Sequence, residues 1–412
     1  MKVLKTILAL SAAVAALAAQ AQPHPKADPD NYVFTVVKQN PITPVKNQYR
    51  SGTCWCFSAI SFLESEAIRL CQIKDSTAYP DFSEMFVVSR SYQDRADKYV
   101  RLDGNLTFAA GSECEDVLHI MDDYGLVPQD VMSGMNYGTK LPVQGELDAA
   151  LKGYIEAIVK NPNKKLSTAW KNGFKGICDA YMGETPEEFT YKGVKYTPAS
   201  FRDSYKLKSE DYVTLTSYTH HPFYKKFAVE VCDNWRGDQA YNVPLDEFMD
   251  ALYYAIEHGY TATWGGDVSE PGFTRNGIGV LLDDAKVTAG SDQERWTGKP
   301  EEKADKKADK KAKKDKKPEP KVIPAERTVT QADRQEWFDN KSTTDDHGMH
   351  AYGIATDQNG TRYLMIKNSW GETGKYNGLW YLSDSFTRGK AITYMVHKDA
   401  LPQALKDKLG IK

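Results

Sequence analysis

The 412-residue sequence is short of cysteine, of net charge and of long apolar runs. Six cysteines are present and no two form a Cys-x-x-Cys pair, so a cysteine zinc site or a dithiol redox motif is not supported. Six in so long a chain are also too few for a disulfide-stapled scaffold. A formal net charge of −3 makes no case for a nucleic-acid or membrane-surface partner. One stretch alone has the apolar character that bears on a membrane, Thr6 to Ala19. It follows Lys2 and Lys5 and ends in Ala19-Gln20-Ala21, a small-x-small cleavage pattern. It is too short for a span, and residues 1–21 are expected to be a secretory signal peptide. The mature chain would begin at Gln22 and be periplasmic or secreted. With 41% hydrophobic and 26% charged residues, the rest reads as a globular protein with ample core.

The most informative stretch is SGTCWCFSAISFLESEAIRL, residues 51–70. Ser51-Gly52 reads as a turn. Trp55, Ala59, Ile60, Leu63, Ala67 and Ile68 then recur at helical spacing, with Glu64, Glu66 and Arg69 largely on the other side. Cys54 stands where the turn feeds the helix. Free N–H groups and the positive dipole end at such a place stabilise a thiolate, the form of cysteine that attacks. Gln48, six residues upstream, can offer an amide N–H to an oxyanion beside the backbone N–H of Cys54. The other reading is a small buried hydrophobe, the fate of most lone cysteines.

Residues 22–44 read as an extended, proline-bearing lead-in. Helices are expected over 81–92, from about 113 to 124, over 147–159 and over 243–258. Aromatic, β-prone runs lie at 188–196 and 212–218. Residues 297–321 are dominated by lysine, aspartate and alanine without an aromatic, and read as a solvated spacer. From about residue 330 the pattern turns strand-like, over 350–356, 363–368, 378–383 and 392–397. A short helix is expected over 401–409.

Two histidines in this last part could serve a cysteine nucleophile. His347 follows Asp345-Asp346 and precedes Gly348; His350, three residues on, points to the opposite face of a strand. In KNSWG, residues 367–371, the Asn368 amide oxygen can accept from a histidine and fix its ring and tautomer, and Trp370 can cover that bond.

Together Gln48, Cys54, Trp55, Phe57, Ser58, His347, Gly348, Gly353 and the Asn368-Ser369-Trp370-Gly371 run resemble the papain-like cysteine peptidases. Ser51 stands where papain itself has a disulfide cysteine, as in the bleomycin hydrolase and aminopeptidase C branch. THHPFYKKFAVEV (219–231) and TWGGDVSEPGF (263–273) also resemble that branch. The resemblance selects His347 over His350, because only His347 has a glycine six positions on. It implies an α+β, two-lobe fold: a helical lobe facing an antiparallel β lobe across a cleft. His347 lies 293 residues after Cys54, against about 130–150 in papain-like enzymes, so residues 140–262 are expected to form an inserted helical subdomain within a peptidase domain over 22–412. The implied function is peptide-bond hydrolysis through a thioester acyl-enzyme, with Cys54 as nucleophile, His347 as acid and base, Asn368 as orienter and Gln48 as oxyanion donor. Neither metal nor organic cofactor is required. Peptides are the expected partners, with no nucleic acid and no membrane insertion, and a homo-oligomer, a hexamer, is implied by the resemblance alone. An aminopeptidase is favoured, because in that branch the C-terminal arm lies in the cleft and can pair with the substrate amine. A papain-like endopeptidase and a catalytically silent binding protein are the alternatives.

Overall fold

The computed structural model describes residues 27–162, 165–283 and 323–412. The expected signal peptide and the lysine-rich 297–321 segment lie outside the described residues. No described helix is long and apolar enough to cross a membrane.

The central helix α1 (Cys54–Leu70) is buried from Trp55 to Ile68 without a break. Its acids therefore do not face water, as the apolar spacing had suggested. Glu64 accepts from the Phe82 N–H at 2.9 Å and from Lys46 at 3.4 Å. Glu66 takes a two-pronged contact from Arg69, at 2.9 and 2.6 Å. A helix buried on all sides sits between two layers, and buried charges there must be paired.

On one side α1 meets the helical lobe: α2 (Glu84–Arg101), α3 (Asp116–Tyr124), α4 (Gly145–Val159) and α5 (Ala169–Met182). Helix α2 starts after Ser83, whose side chain accepts from the Phe86 N–H, slightly later than its apolar residues alone suggest. Trp55, Phe62, Phe86, Val117, Leu151 and Phe174 share one core there. Farther on come α6 (Pro198–Ser204) and α7 (Leu245–Glu257).

On the other side lies a mixed sheet. In chain order the strands are β1 (Thr35–Gln39), β2 (Phe189–Tyr191), β3 (Val194–Tyr196), β4 (Tyr212–Thr216), β5 (Lys226–Ala228), β6 (Gln239–Asn242) and β7 (Ala262–Gly266). They continue with β8 (Phe273–Thr274), β9 (Ile278–Gly279), β10 (His347–Thr356), β11 (Arg362–Lys367), β12 (Leu379–Ser383) and β13 (Ala391–His397). The sheet runs β5-β6-β4-β13-β7-β10-β11-β12-β9-β8, with β1 also on β10, and β2 and β3 form a separate hairpin. Most pairs are antiparallel, while β4–β6 and β9–β12 are parallel. The lead-in is thus partly a strand: Thr35 to Gln39 pairs with Thr356 to Gly353 across an irregular register.

Residues 140–262 divide between the two lobes. Leu147, Leu151, Phe174 and Cys178 join the core of α1 and α2, whereas β4 and β6 extend the sheet beyond β13. The last helix, Gln403–Leu409, buries Leu405 and Leu409 against the sheet-side core. Gly410, at φ 68°, ends it in the left-handed conformation that glycine takes without penalty.

Candidate active site

The site forms where the N-terminus of α1 meets the start of β10. Gly348 permits that approach. A Cβ there would lie 3.2 Å from the Trp55 Cα, tighter than side chains ordinarily pack, and in contact with the Cys54 carbonyl carbon. Two hydroxyls of α1 lock the strand: Ser58 donates to the Met349 carbonyl at 2.5 Å, and Ser61 meets His350 Nδ1 at 2.8 Å. His350 is therefore a fully buried structural residue, turned into the helix. His347, one residue before Gly348, is delivered to the Cys54 end, and the Gly348 N–H points to the Cys54 sulfur.

The next strand supplies the orienting group. His347 Nε2 lies 2.8 Å from Asn368 Oδ1. The Ser369 N–H also donates to that oxygen, at 2.7 Å, so the amide is oriented with its oxygen toward the ring. The Trp370 ring lies 4.9 Å from the imidazole, centroid to centroid, and screens the bond from water. Gln48 is tied to the same segment: its N–H donates to the Ser369 carbonyl at 2.8 Å, and its Oε1 accepts from Ser369 Oγ at 2.5 Å. Gln48 Nε2 donates one N–H to the Ser51 carbonyl at 2.9 Å, which leaves its second N–H for a ligand. The four residues singled out by sequence are thus brought to one place.

Burial sets the protonation states. It pushes the Cys54 thiol up to about 12; the Gly348 and Trp55 N–H groups pull the other way, while Asp345 and Asp233 add to the rise. Burial also pushes the His347 imidazole down to about 4, against the Asn368 hydrogen bond. Both shifts favour the neutral thiol and the neutral imidazole in the resting pair. The helix terminus alone suggested a thiolate; desolvation and two nearby carboxylates outweigh it.

Those carboxylates are the part of the site that sequence reasoning missed. Asp345, Glu113 and Asp233 come from three distant segments and share one partly exposed wall beside Cys54. Asp345 and Glu113 are hydrogen-bonded to each other. Burial holds Asp345 up at about 7, aided by the Asp233 charge, and holds Glu113 and Asp233 above the usual carboxylate range. Gly111 makes room for Asp233, whose Oδ2 would lie 2.1 Å from any Cβ there. Trp55 Nε1 donates to the Ala110 carbonyl at 3.0 Å and anchors this wall to α1. Only Asp345, two residues before His347, carried a local signal. Among the described residues one group of side chains could hold a metal ion: His220 and His221 from the β4–β5 connection with Glu230 from just after β5.

A cysteine at the head of a buried helix, facing a histidine–asparagine pair on a sheet, is the arrangement of the papain-like cysteine peptidase fold. Similarity searches agree. A model of the Peptidase C1-like family matches residues 3–283, and the chain belongs to that family of cysteine-type peptidases. The match ends before His347 and Asn368, so the second half of the site rests on geometry. Aminopeptidase E of Lactobacillus helveticus is 22% identical over 403 residues, covering 88% of this chain and 83% of that protein. The mitochondrial cysteine proteinase 1 of Saccharomyces cerevisiae is 22% identical over 421 residues, covering 92% and 80%. The crystal structure of PepW from Lactobacillus rhamnosis superposes with a TM-score of 0.64 at 18% identity, over 91% of this chain and 84% of that one.

The oxyanion role assigned to Gln48 has a direct check. Gln48→Ala is expected to lower kcat by about 100- to 1000-fold with little change in KM. An unchanged kcat would remove Gln48 from the catalytic machinery.

Proposed function

We propose that this chain is an exported cysteine aminopeptidase acting through Cys54, His347, Asn368 and Gln48. The observation that carries the exopeptidase reading is the carboxylate wall of Asp345, Glu113 and Asp233 beside the nucleophile. Arg95 offsets Asp233 alone, and a peptide's α-ammonium is a cation of the right size to pair with Asp345 and Glu113. Pairing it there places the first peptide bond near Cys54. The names of the relatives, aminopeptidases E, C and G among them, point the same way.

The chemistry follows from the tautomer. With Nε2–H donated to Asn368 Oδ1, the His347 lone pair is on Nδ1, which takes the Cys54 proton as sulfur attacks the carbonyl. Charge passes to the oxygen, where the second Gln48 N–H and the Cys54 N–H receive it. The His347 proton then goes to the leaving amine, and water, deprotonated by the same ring, frees the acyl group. No metal or organic cofactor takes part in this sequence.

In this reading the C-terminal tail is not the amine-recognising arm that the family resemblance implies. Its contacts run elsewhere: Lys408 to Glu247 at 2.9 Å, Lys406 to Asp399 at 3.4 Å, and Ile411 onto the sheet-side core.

Three measurements test this reading. A peptide-library digest should release single residues from free N-termini; internal cuts in blocked peptides would make it an endopeptidase. Asp345 titrates near 7 and carries charge only above that value, so kcat/KM for free-amine substrates should fall as pH drops through about 7. Acetylated substrates should lack that limb. Asp345→Asn should raise KM for free-amine substrates by about 10- to 100-fold and leave kcat within a few-fold. Export is tested separately, by a mature N-terminus at Gln22.

A further inference from the structure

Outside the cleft, the connection from β4 to β5 brings two successive histidines onto one carboxylate. His220 Nε2 lies 3.0 Å from Glu230 Oε2, and His221 Nε2 lies 2.8 Å from Glu230 Oε1. Neighbouring residues in extended chain point to opposite sides. Here a bend turns both rings the same way, and the fully buried Asn242 locks it by donating to the His221 carbonyl at 2.9 Å.

We propose that His220, His221 and Glu230 form a binding site for a divalent transition-metal ion of the zinc class. The three ligand atoms all lie within 4.8 Å of one another. Ligands 2.0–2.1 Å from a tetrahedral zinc stand about 3.3 Å apart, so small movements close the site. Imidazole and carboxylate ligands suit zinc and its neighbours, and the fourth position faces solvent.

The surroundings are those of a built site. His221 stacks on Phe227 at 4.1 Å, and His220 lies 5.8 Å from the parallel Phe338 ring. This apolar backing limits how the rings can turn and strengthens binding of a cation by the polar atoms. Gln335, nearly buried, holds His220 Nδ1 through its side-chain amide, with Nε2 at 3.0 Å and Oε1 at 3.4 Å. Zinc would take both Nε2 lone pairs, so each ring would keep its proton on Nδ1; for His220 the Gln335 amide, which has its Nε2 nearer the ring, would turn to accept that proton through Oε1. Glu336 and Asp339 line the adjoining groove and add negative field. The ion would clip the 219–221 bend to the segment that carries Asp233, three residues beyond Glu230.

The test uses the full chain carrying Cys54→Ala, which removes the reactive thiol as a competing ligand. Titration calorimetry with Zn²⁺ should give one ion per chain, and saturating Zn²⁺ should raise Tm. His221→Ala and Glu230→Gln should each weaken binding by at least about tenfold. Glu230→Gln keeps shape and hydrogen bonding, so it reports on ligation even if the histidine variant folds poorly. Co²⁺ should show tetrahedral bands without a sulfur charge-transfer band, and Cys232→Ser should change nothing. Absence of stoichiometric binding, indifference to Glu230→Gln, or loss of binding in Cys232→Ser would each overturn the assignment.

Discussion

Cys54→Ala is expected to abolish peptide-bond hydrolysis, a fall of about a millionfold in kcat, while the protein stays folded. In the proposed mechanism the sulfur is the atom that bonds to the acyl group, and no other side chain at the site can replace it. Stability should hold because Cys54 is the first residue of α1, half-buried at the cleft floor, and the locks on the helix lie further along. Ser58 and Ser61 hold β10, and Trp55 holds the 110 wall. Alanine at a helix start costs little, being the best helix former. Substrate should still bind, because the Asp345, Glu113 and Asp233 wall is untouched. Turnover assays and a thermal melt together check this. Retained turnover would exclude Cys54 as the nucleophile.

The second large effect separates the two histidines. His347→Ala should lower kcat nearly as far as loss of Cys54, since a thiol held protonated cannot attack without a base to take its proton. His350→Ala should do something different. His350 is fully buried and bonded to Ser61, so the variant leaves a cavity and an orphaned hydroxyl, and should lose about 2–4 kcal/mol of stability. Its kcat per folded molecule should stay within a few-fold. The paired readout is kcat from active-site titration against the unfolding midpoint. A dead but stable His350→Ala, with an active His347→Ala, would reverse the assignment.

The proposed catalytic groups stood out in sequence because each belongs to a short local run. A cysteine after a glycine turn, a histidine before a glycine and Asn-Ser-Trp-Gly each carry their own signal. Several helices and strands were legible from periodicity, down to the short C-terminal helix, while the α+β two-lobe fold came from the resemblance and the helices Ala169–Met182 and Gln331–Asp339 were not read. Three things were not. Glu64 and Glu66 read as an outer face, because periodicity sees one helix and not the two lobes that enclose it; their partners Lys46 and Arg69 make burial tolerable. The protonation of Cys54 follows from desolvation and from carboxylates that come from distant segments of the chain. The carboxylate wall itself joins residues 113, 233 and 345, and no window of sequence contains more than one of them. Residues 140–262 raised a related difficulty: their helices and strands serve both lobes, and only pairing in space shows which element goes where.

The central claim is that Cys54 is the sulfur activated by His347. It is tested most directly by intact-mass and peptide mapping after exposure to a peptidyl epoxide that alkylates cysteine peptidases. Cys71 and Cys232 are free and more open to solvent than Cys56, Cys114 and Cys178, and serve as internal controls. The account predicts one adduct per chain, on Cys54, formed in step with loss of activity and absent from His347→Ala. An adduct on Cys71 or Cys232 with activity lost and Cys54 unmodified would contradict it.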